Sequence, residues 1–262
     1  MARVQIVGGG QMGAALVGGL LGAGDLTAQD LSIVEASSVR RAHLVERFPQ
    51  VHVSDAIADA DGTILAVKPD DVPSVIGLVA VAGSSRILSI AAGVTLRTLQ
   101  GAAGPDEVVL RAMPNTPALV GVGASAVAAG VNADEQDVEW ATGLLSAVGD
   151  VIVVTESQMD AVTGLSGSGP AYVFLIAEAL ADAGVSVGLP RPLAERLANQ
   201  TIRGAGEVLV HSEDPAAVLK AAVTSPGGTT AAGLGVLERR GVRGAMIDAV
   251  EAATERSRTI SP

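Results

Sequence analysis

The stretch Val4-Gln-Ile-Val-Gly8-Gly-Gly10-Gln-Met-Gly13-Ala-Ala-Leu, close to the start of the chain, decides the fold. A short run rich in β-branched residues meets three glycines spaced G-x-G-x-x-G, and an apolar segment of helical length follows at once. Strand, glycine turn, helix is the order in which this spacing signals a dinucleotide-binding βαβ unit. Gly8 would make the tight turn, Gly10 would let a pyrophosphate approach the backbone, and Gly13 would let the helix pack closely on the strand. Gln11 and Met12 stand at the helix start, where unpaired N–H groups and the positive dipole end favour phosphate. The bland alternative is a glycine-rich turn that holds nothing.

Outward from this unit, β-like runs at residues 4–7, 31–35, 63–67, 86–90 and 108–112 are rich in Val, Ile and Leu, as strands buried on both faces are. Segments of helical length at 11–21, 39–48 and 71–81 lie between them, and such alternation predicts a doubly wound, mostly parallel sheet. Residues 124–129, 134–148 (helical) and 151–154 read as one more extension of that sheet. Beyond Thr155 no strand pattern remains. Ala- and Leu-rich helices are expected at 171–183, 192–211, 215–222, 229–240 and 243–256, with Pro170, Pro190 and Pro192 at helix starts, where proline is tolerated. The expected division is therefore residues 1–156, α/β and dinucleotide-binding, and 157–262, all-α. The helices around Tyr172 and Leu234 are apolar nearly all round, so more than one face needs cover. That predicts packing against a second copy of the chain.

Composition narrows the function classes. The 262 residues carry a formal net charge of −11, from 17 basic and 28 acidic side chains, which argues against a nucleic-acid surface. Four scattered rings (Phe48, Trp140, Tyr172 and Phe174) cannot build a base-stacking platform. The absence of cysteine excludes disulfides, zinc fingers and thiol nucleophiles, and His43, His52 and His211 do not make a histidine-rich metal site. No apolar run reaches the ~18–20 residues that span a bilayer, and no secretory pattern precedes the first strand. A cytoplasmic enzyme without a metal is the expectation.

Candidate ligand residues fall at the carboxyl ends of the expected strands, the edge at which open α/β sheets bind ligands. Glu35 follows Gly13 at nearly the ~20-residue spacing of a ribose-reading carboxylate. Ser37, Ser38, Arg40 and Arg41 come directly after it and suit a phosphate instead, so NADH and NADPH both stay open. Ala66-Val67-Lys68-Pro69 would line cofactor ribose and phosphates. The loop holding Ala92, and the loop from Met113 to Asn115, would leave room for a nicotinamide, with the Asn115 amide to orient it. In the helical half, Ser225, Gly227, Gly228, Thr229 and Thr230 combine hydroxyls with free N–H groups at a helix start. That suits a small carboxylate, although plain helix capping uses the same residues.

Read together, Gly8-Gly-Gly10-Gln-Met-Gly13, Ala66-Val-Lys-Pro69, Arg111-Ala-Met-Pro-Asn-Thr-Pro117, Ser166-Gly-Ser-Gly-Pro-Ala-Tyr172 and Val223-Thr-Ser-Pro-Gly-Gly-Thr-Thr230 resemble the pyrroline-5-carboxylate reductase family in identity and order. The last motif is the most specific. The resemblance implies a Rossmann domain followed by an all-α dimerisation domain. It also implies NAD(P)H-dependent reduction of L-1-pyrroline-5-carboxylate to L-proline. Carried over, Ser225, Gly228, Thr229 and Thr230 would hold the substrate carboxylate, with the Thr230 hydroxyl near the ring nitrogen as the catalytic contact. Two positions depart from the family pattern: Val53-Ser54-Asp55 stands where an asparagine is common, and Glu35 replaces more phosphate-friendly residues.

The chemistry agrees with this scarcity of acid–base side chains. A ketone reductase needs a positioned acid for the developing alkoxide, whereas a cyclic imine can take its proton before reduction. A hydroxyl that orients the ring nitrogen then suffices. A β-hydroxyacid dehydrogenase would require a lysine on a long helix of the second half, and residues 171–183 and 192–211 contain none. A non-catalytic NAD(P)-binding regulator would leave the Ser/Thr/Gly loop unexplained.

Overall fold

The computed structural model describes residues 2–260. Met1, Ser261 and Pro262 lie outside them. In chain order the first elements are β1 (Ala2–Val7), α1 (Gln11–Ala23), β2 (Leu31–Val34), α2 (Ser38–Arg47), β3 (His52–Ser54) and β4 (Ala60–Leu65). They are followed by α3 (Val72–Val81), β5 (Ile87–Ser89), α4 (Leu96–Ala103), β6 (Val109–Met113), β7 (Gly123–Ala129), α5 (Glu135–Ser146), β8 (Gly149–Val153) and α6 (Met159–Val162). Helices alone follow: α7 (Gly169–Ser186), α8 (Arg191–His211), α9 (Ala216–Ala222), α10 (Thr229–Arg239) and α11 (Val242–Ile260).

The strands form one sheet in the order β3-β2-β1-β4-β5-β6-β7-β8. All neighbours pair in parallel except β6 and β7. The exception follows from chain length, because the short turn Thr116–Val120 cannot supply the dozen or more residues of a parallel crossover. Val7 pairs with Val34 on one side and with Leu65 on the other. The chain therefore leaves β1, β2 and β4 at one level, and Gly8, Glu35 and Ala66 emerge side by side.

Alternation along the strands gives the sheet an apolar core on each face. Ile6, Ile33, Ile64, Leu88 and Leu110 meet Leu16, Val17 and Leu20 of α1. Val7, Leu65, Ile87 and Val109 meet Val72, Ile76, Val79 and Leu99 of α3 and α4. At the opposite edge of the sheet, Trp140 of α5 lies against the backbone of Gly62, where a side chain would strike its ring. The Arg86 guanidinium stacks 5.5 Å from the centre of that ring.

By compactness the described chain forms two units. One runs to Ser168 and takes in the residues from Ala252 onward; the other is Gly169–Glu251. In the first, the end of α11 is tied to α6 by the Ser257 hydroxyl, which donates to Asp160 Oδ1 at 2.7 Å. In the second, α7 and α8 form a hairpin in which Gly184 lies against Ala194. Phe174 and Leu175 remain 65% and 63% exposed, so the apolar surface expected from the sequence is present and uncovered within the chain.

Several boundaries differ from expectation. β4 ends at Leu65, so Ala66 and Val67 belong to the loop beyond it. β3, α4 and α6 come as additions, and residues 163–167 form a π-helical turn.

Candidate functional site

The glycine loop has the geometry its spacing predicts. Gly8 has φ of 106°, a left-handed value that favours glycine, and a side chain there would come within 2.5 Å of the Ala66 carbonyl oxygen. Its N–H donates to Val34 O at 2.8 Å, which pins the turn to the end of β2. A side chain at Gly13 would overlap the Gly8 carbonyl. Around Gly10 the space that a Cβ would take is open. Gly10 caps α1 without any side-chain acceptor, and Ala14 N–H makes the first helical bond to Gly10 O at 2.9 Å. The N–H groups ahead of it, at Gln11, Met12 and Gly13, have no intrahelical partner. A pyrophosphate fits this cradle.

Glu35 leaves β2 beside that loop and is buried. Its carboxylate accepts from Gly9 N at 3.0 Å, from Ser37 N at 2.8 Å and from Arg40 NH1 at 3.3 Å. Burial acts to raise its pKa, but the N–H groups of Ser37 and Gly9, with the Arg40 guanidinium, outweigh it and hold the carboxyl below its ordinary value. The two arginines that the sequence left equivalent are now distinct. Arg41 donates to Glu35 O and Ala36 O, both at 2.8 Å, and pairs with Asp55, so it braces the loop. Arg40 is 56% exposed and stands over a groove of about 280 Å³ lined by Gly9, Gly10, Gln11, His43 and Arg47. Ser37 caps α2 through its hydroxyl, and Ser38 begins that helix.

Further along the same edge, Ala66 N–H donates to Val7 O at 2.8 Å, and Lys68 is exposed ahead of the turn Pro69–Asp71. Ala92 is exposed in the loop after β5. Asn115 is not a free amide. Its Nδ2 donates to Ser166 O at 3.0 Å and its Oδ1 accepts from Ala124 N at 2.9 Å, so it ties β7 to the π-helical turn. Met113 packs on Gly167 of that turn.

Sequence reasoning missed Glu156. It stands in the short turn Glu156–Gln158 after β8, and its Oε1 accepts from Arg111 NH1 at 2.8 Å and from Leu96 N at 3.0 Å. A buried arginine within β6 was the available signal, since such a charge requires a partner.

In the second unit, the loop from Val223 ends at Gly228, which caps α10 with backbone alone. Gly227 has φ of 68°, and Gly228 N–H donates to Ser225 O at 3.1 Å. Ser225, Thr229 and Thr230 are exposed. Among the described residues no partner occupies the hydroxyl of Thr229 or Thr230. The start of α10 thus presents hydroxyls and N–H groups together, a donor set for one small anion.

A mostly parallel sheet whose first strand ends in this glycine loop defines a dinucleotide-binding protein of the Rossmann class. Residues 156–260 match the family model described as pyrroline-5-carboxylate reductase dimerisation, and residues 3–93 match that described as NADP oxidoreductase, coenzyme F420-dependent. The chain belongs to the pyrroline-5-carboxylate reductase family. It is 44% identical to the pyrroline-5-carboxylate reductase of Synechocystis sp. over 98% of both chains. Among solved structures it is similar to a pyrroline-5-carboxylate reductase from Coxiella burnetii (TM-score 0.94, 34% identity, covering 100% of this chain and 99% of that one). A Plasmodium falciparum pyrroline carboxylate reductase with NADP bound gives a TM-score of 0.85 at 32% identity, covering 100% and 98%.

Proposed function

We infer that the chain reduces L-1-pyrroline-5-carboxylate to L-proline with NAD(P)H. The observation that carries this reading is the loop from Val223 to Thr230, which sets hydroxyls and N–H groups at a helix start, in a chain that also holds the glycine cradle. The bound dinucleotide supplies the hydride. Gly8, Gly10 and the start of α1 hold its pyrophosphate, while Ala66, Val67, Lys68 and Pro69 flank it. Ser225, Gly227, Gly228, Thr229 and Thr230 hold the substrate carboxylate, and the Thr230 hydroxyl orients the ring nitrogen. Because the imine enters protonated, no strong acid is needed at the site, and the helical half offers no cysteine and a single lysine, Lys220.

NADPH is the preferred cofactor in this reading. The Glu35 carboxylate is engaged by its own chain, and Arg40, which spends one NH1 bond on it at 3.3 Å, is 56% exposed over the groove with His43 and Arg47, where a 2′-phosphate would sit. Residues 1–156 serve the cofactor. Residues 157–262 bind substrate and pair with a second copy, covering the exposed faces around Phe174, and the enzyme works in the cytoplasm. Among the described residues no helix is long and apolar enough to cross a membrane.

The test is turnover: oxidation of NADPH on addition of pyrroline-5-carboxylate, slower with NADH, and no reduction of NADP⁺ by 3-hydroxyisobutyrate. Normal cofactor binding without oxidation would overturn the reading.

A further inference from the structure

We propose that Glu156 is a positioning residue for the reacting half of the cofactor, acting through the backbone at the start of α4. The inference rests on the reductase reading for its ligand. Arg111 lies within β6 at 3% exposure, and a guanidinium so placed is costly unless it is paired. Glu156 Oε1 meets that need at 2.8 Å. An ion pair alone would satisfy it. The same oxygen also takes the N–H of Leu96 at 3.0 Å, a bond the arginine does not require.

The places that this oxygen joins give the bond its meaning. Leu96 is the first residue of α4 and directly follows the loop after β5 that contains Ala92. Arg111 lies two residues before Met113, where β6 ends. One carboxylate oxygen therefore ties the start of α4, just beyond the β5 loop, to β6 two residues before its carboxyl end. In a doubly wound sheet with this strand order, the β1 turn holds the pyrophosphate and the β2 side receives the adenosine. The other half of the dinucleotide then falls on the β4–β6 side, where the β5 loop leads into α4 and β6 ends. Glu156 touches neither ligand in this arrangement. It sets the start of α4, and with it the β5 loop beside the nicotinamide, against β6, and small errors in such placement cost rate steeply.

The bond can be cut without cutting the ion pair. Leu96 occupies the first position of α4, where a helix tolerates proline, and Thr95 before it is extended (φ −77°, ψ 157°), as a residue preceding proline must be. Leu96→Pro removes the N–H and leaves Arg111 paired, while Leu96→Ala removes a comparable side chain and keeps the N–H. Each purified variant is titrated with NADPH and, separately, with 2′-phosphoadenosine diphosphoribose, which has the adenosine half without the nicotinamide.

The expected result is NADPH bound several-fold to about tenfold more weakly by the proline variant than by the alanine variant, with equal affinity for the fragment. Equal NADPH affinity in the two variants, or equal losses for both ligands, would overturn the proposal. If the proline variant does not fold, the double variant Arg111→Met, Glu156→Leu, which removes the acceptor without leaving a buried guanidinium unpaired, is titrated instead. It should lose affinity for NADPH and not for the fragment, and parallel losses would again count against the clamp. Because these readouts are binding alone, failure of the wild type to turn over pyrroline-5-carboxylate would sink the functional reading separately.

Discussion

Replacing Glu35 by alanine should destabilise the first unit by an amount that can be built from its contacts. The Gly9 N–H, 3.0 Å from the carboxylate, is buried and would lose its acceptor. A buried donor left unpaired costs about 1–3 kcal/mol. The Ser37 N–H bond, at 2.8 Å, is only partly buried, so water recovers part of it, leaving about 1 kcal/mol. The pair with the exposed Arg40 contributes about 0–1 kcal/mol. The sum is about 2–5 kcal/mol, which at a urea slope of about 2 kcal/mol per molar lowers the midpoint by about 1–2.5 M.

The same experiment repeated across pH carries a sign. The folded carboxyl is held below its ordinary value of 4.5, so its contribution is complete above that value and is lost as pH falls through the folded pKa. The gap between wild type and Glu35→Ala should therefore be full at pH 7 and close as the solution is acidified below about 4.5. The assay is urea unfolding followed by tryptophan fluorescence. A gap that is negligible at pH 7, or one that widens in acid, would refute the account of Glu35 as an ionised brace.

Other outcomes follow from single contacts. Gly13→Ala places a methyl group on the Gly8 carbonyl, so the loop must shift, and NADPH affinity measured by fluorescence titration should fall about tenfold or more. Thr230→Ala should lower kcat/KM for pyrroline-5-carboxylate about tenfold or more while leaving the NADPH dissociation constant near that of the wild type; collapse of cofactor binding would misplace Thr230. Phe174→Glu sets a charge on a face exposed within the chain, and sedimentation should show the variant shifted from dimer toward monomer. An unchanged assembly would move the interface elsewhere.

Much of the fold was legible because buried parallel strands and amphipathic helices carry their periodicity in the sequence. The glycine loop was readable for a stricter reason: Gly8 and Gly13 answer steric demands that no other residue meets, and Gly10 leaves open the space a ligand would take. β3 was not readable, since His52-Val-Ser54 is three residues long and pairs on one side only, which leaves no pattern to detect. The antiparallel β7 depended on the length of a turn. At the site, composition could name Glu35, Arg40 and Arg41 but could not divide their tasks. That division rests on which oxygen meets which N–H across 26 residues, from Glu35 back to Gly9. Asn115 shows the same limit. Its residue type promised a ligand contact, and its neighbours in space had already engaged the amide.

The placement of Trp140, held between Gly62 and the Arg86 guanidinium, has a practical consequence. It is the one tryptophan of the chain, and it packs on the sheet from α5, within the first unit. Emission therefore watches the nucleotide-binding unit in isolation, while far-ultraviolet dichroism is weighted toward the helices that follow Ser168. Following both signals through one denaturation would show whether the two units melt in concert or in turn, with no label attached.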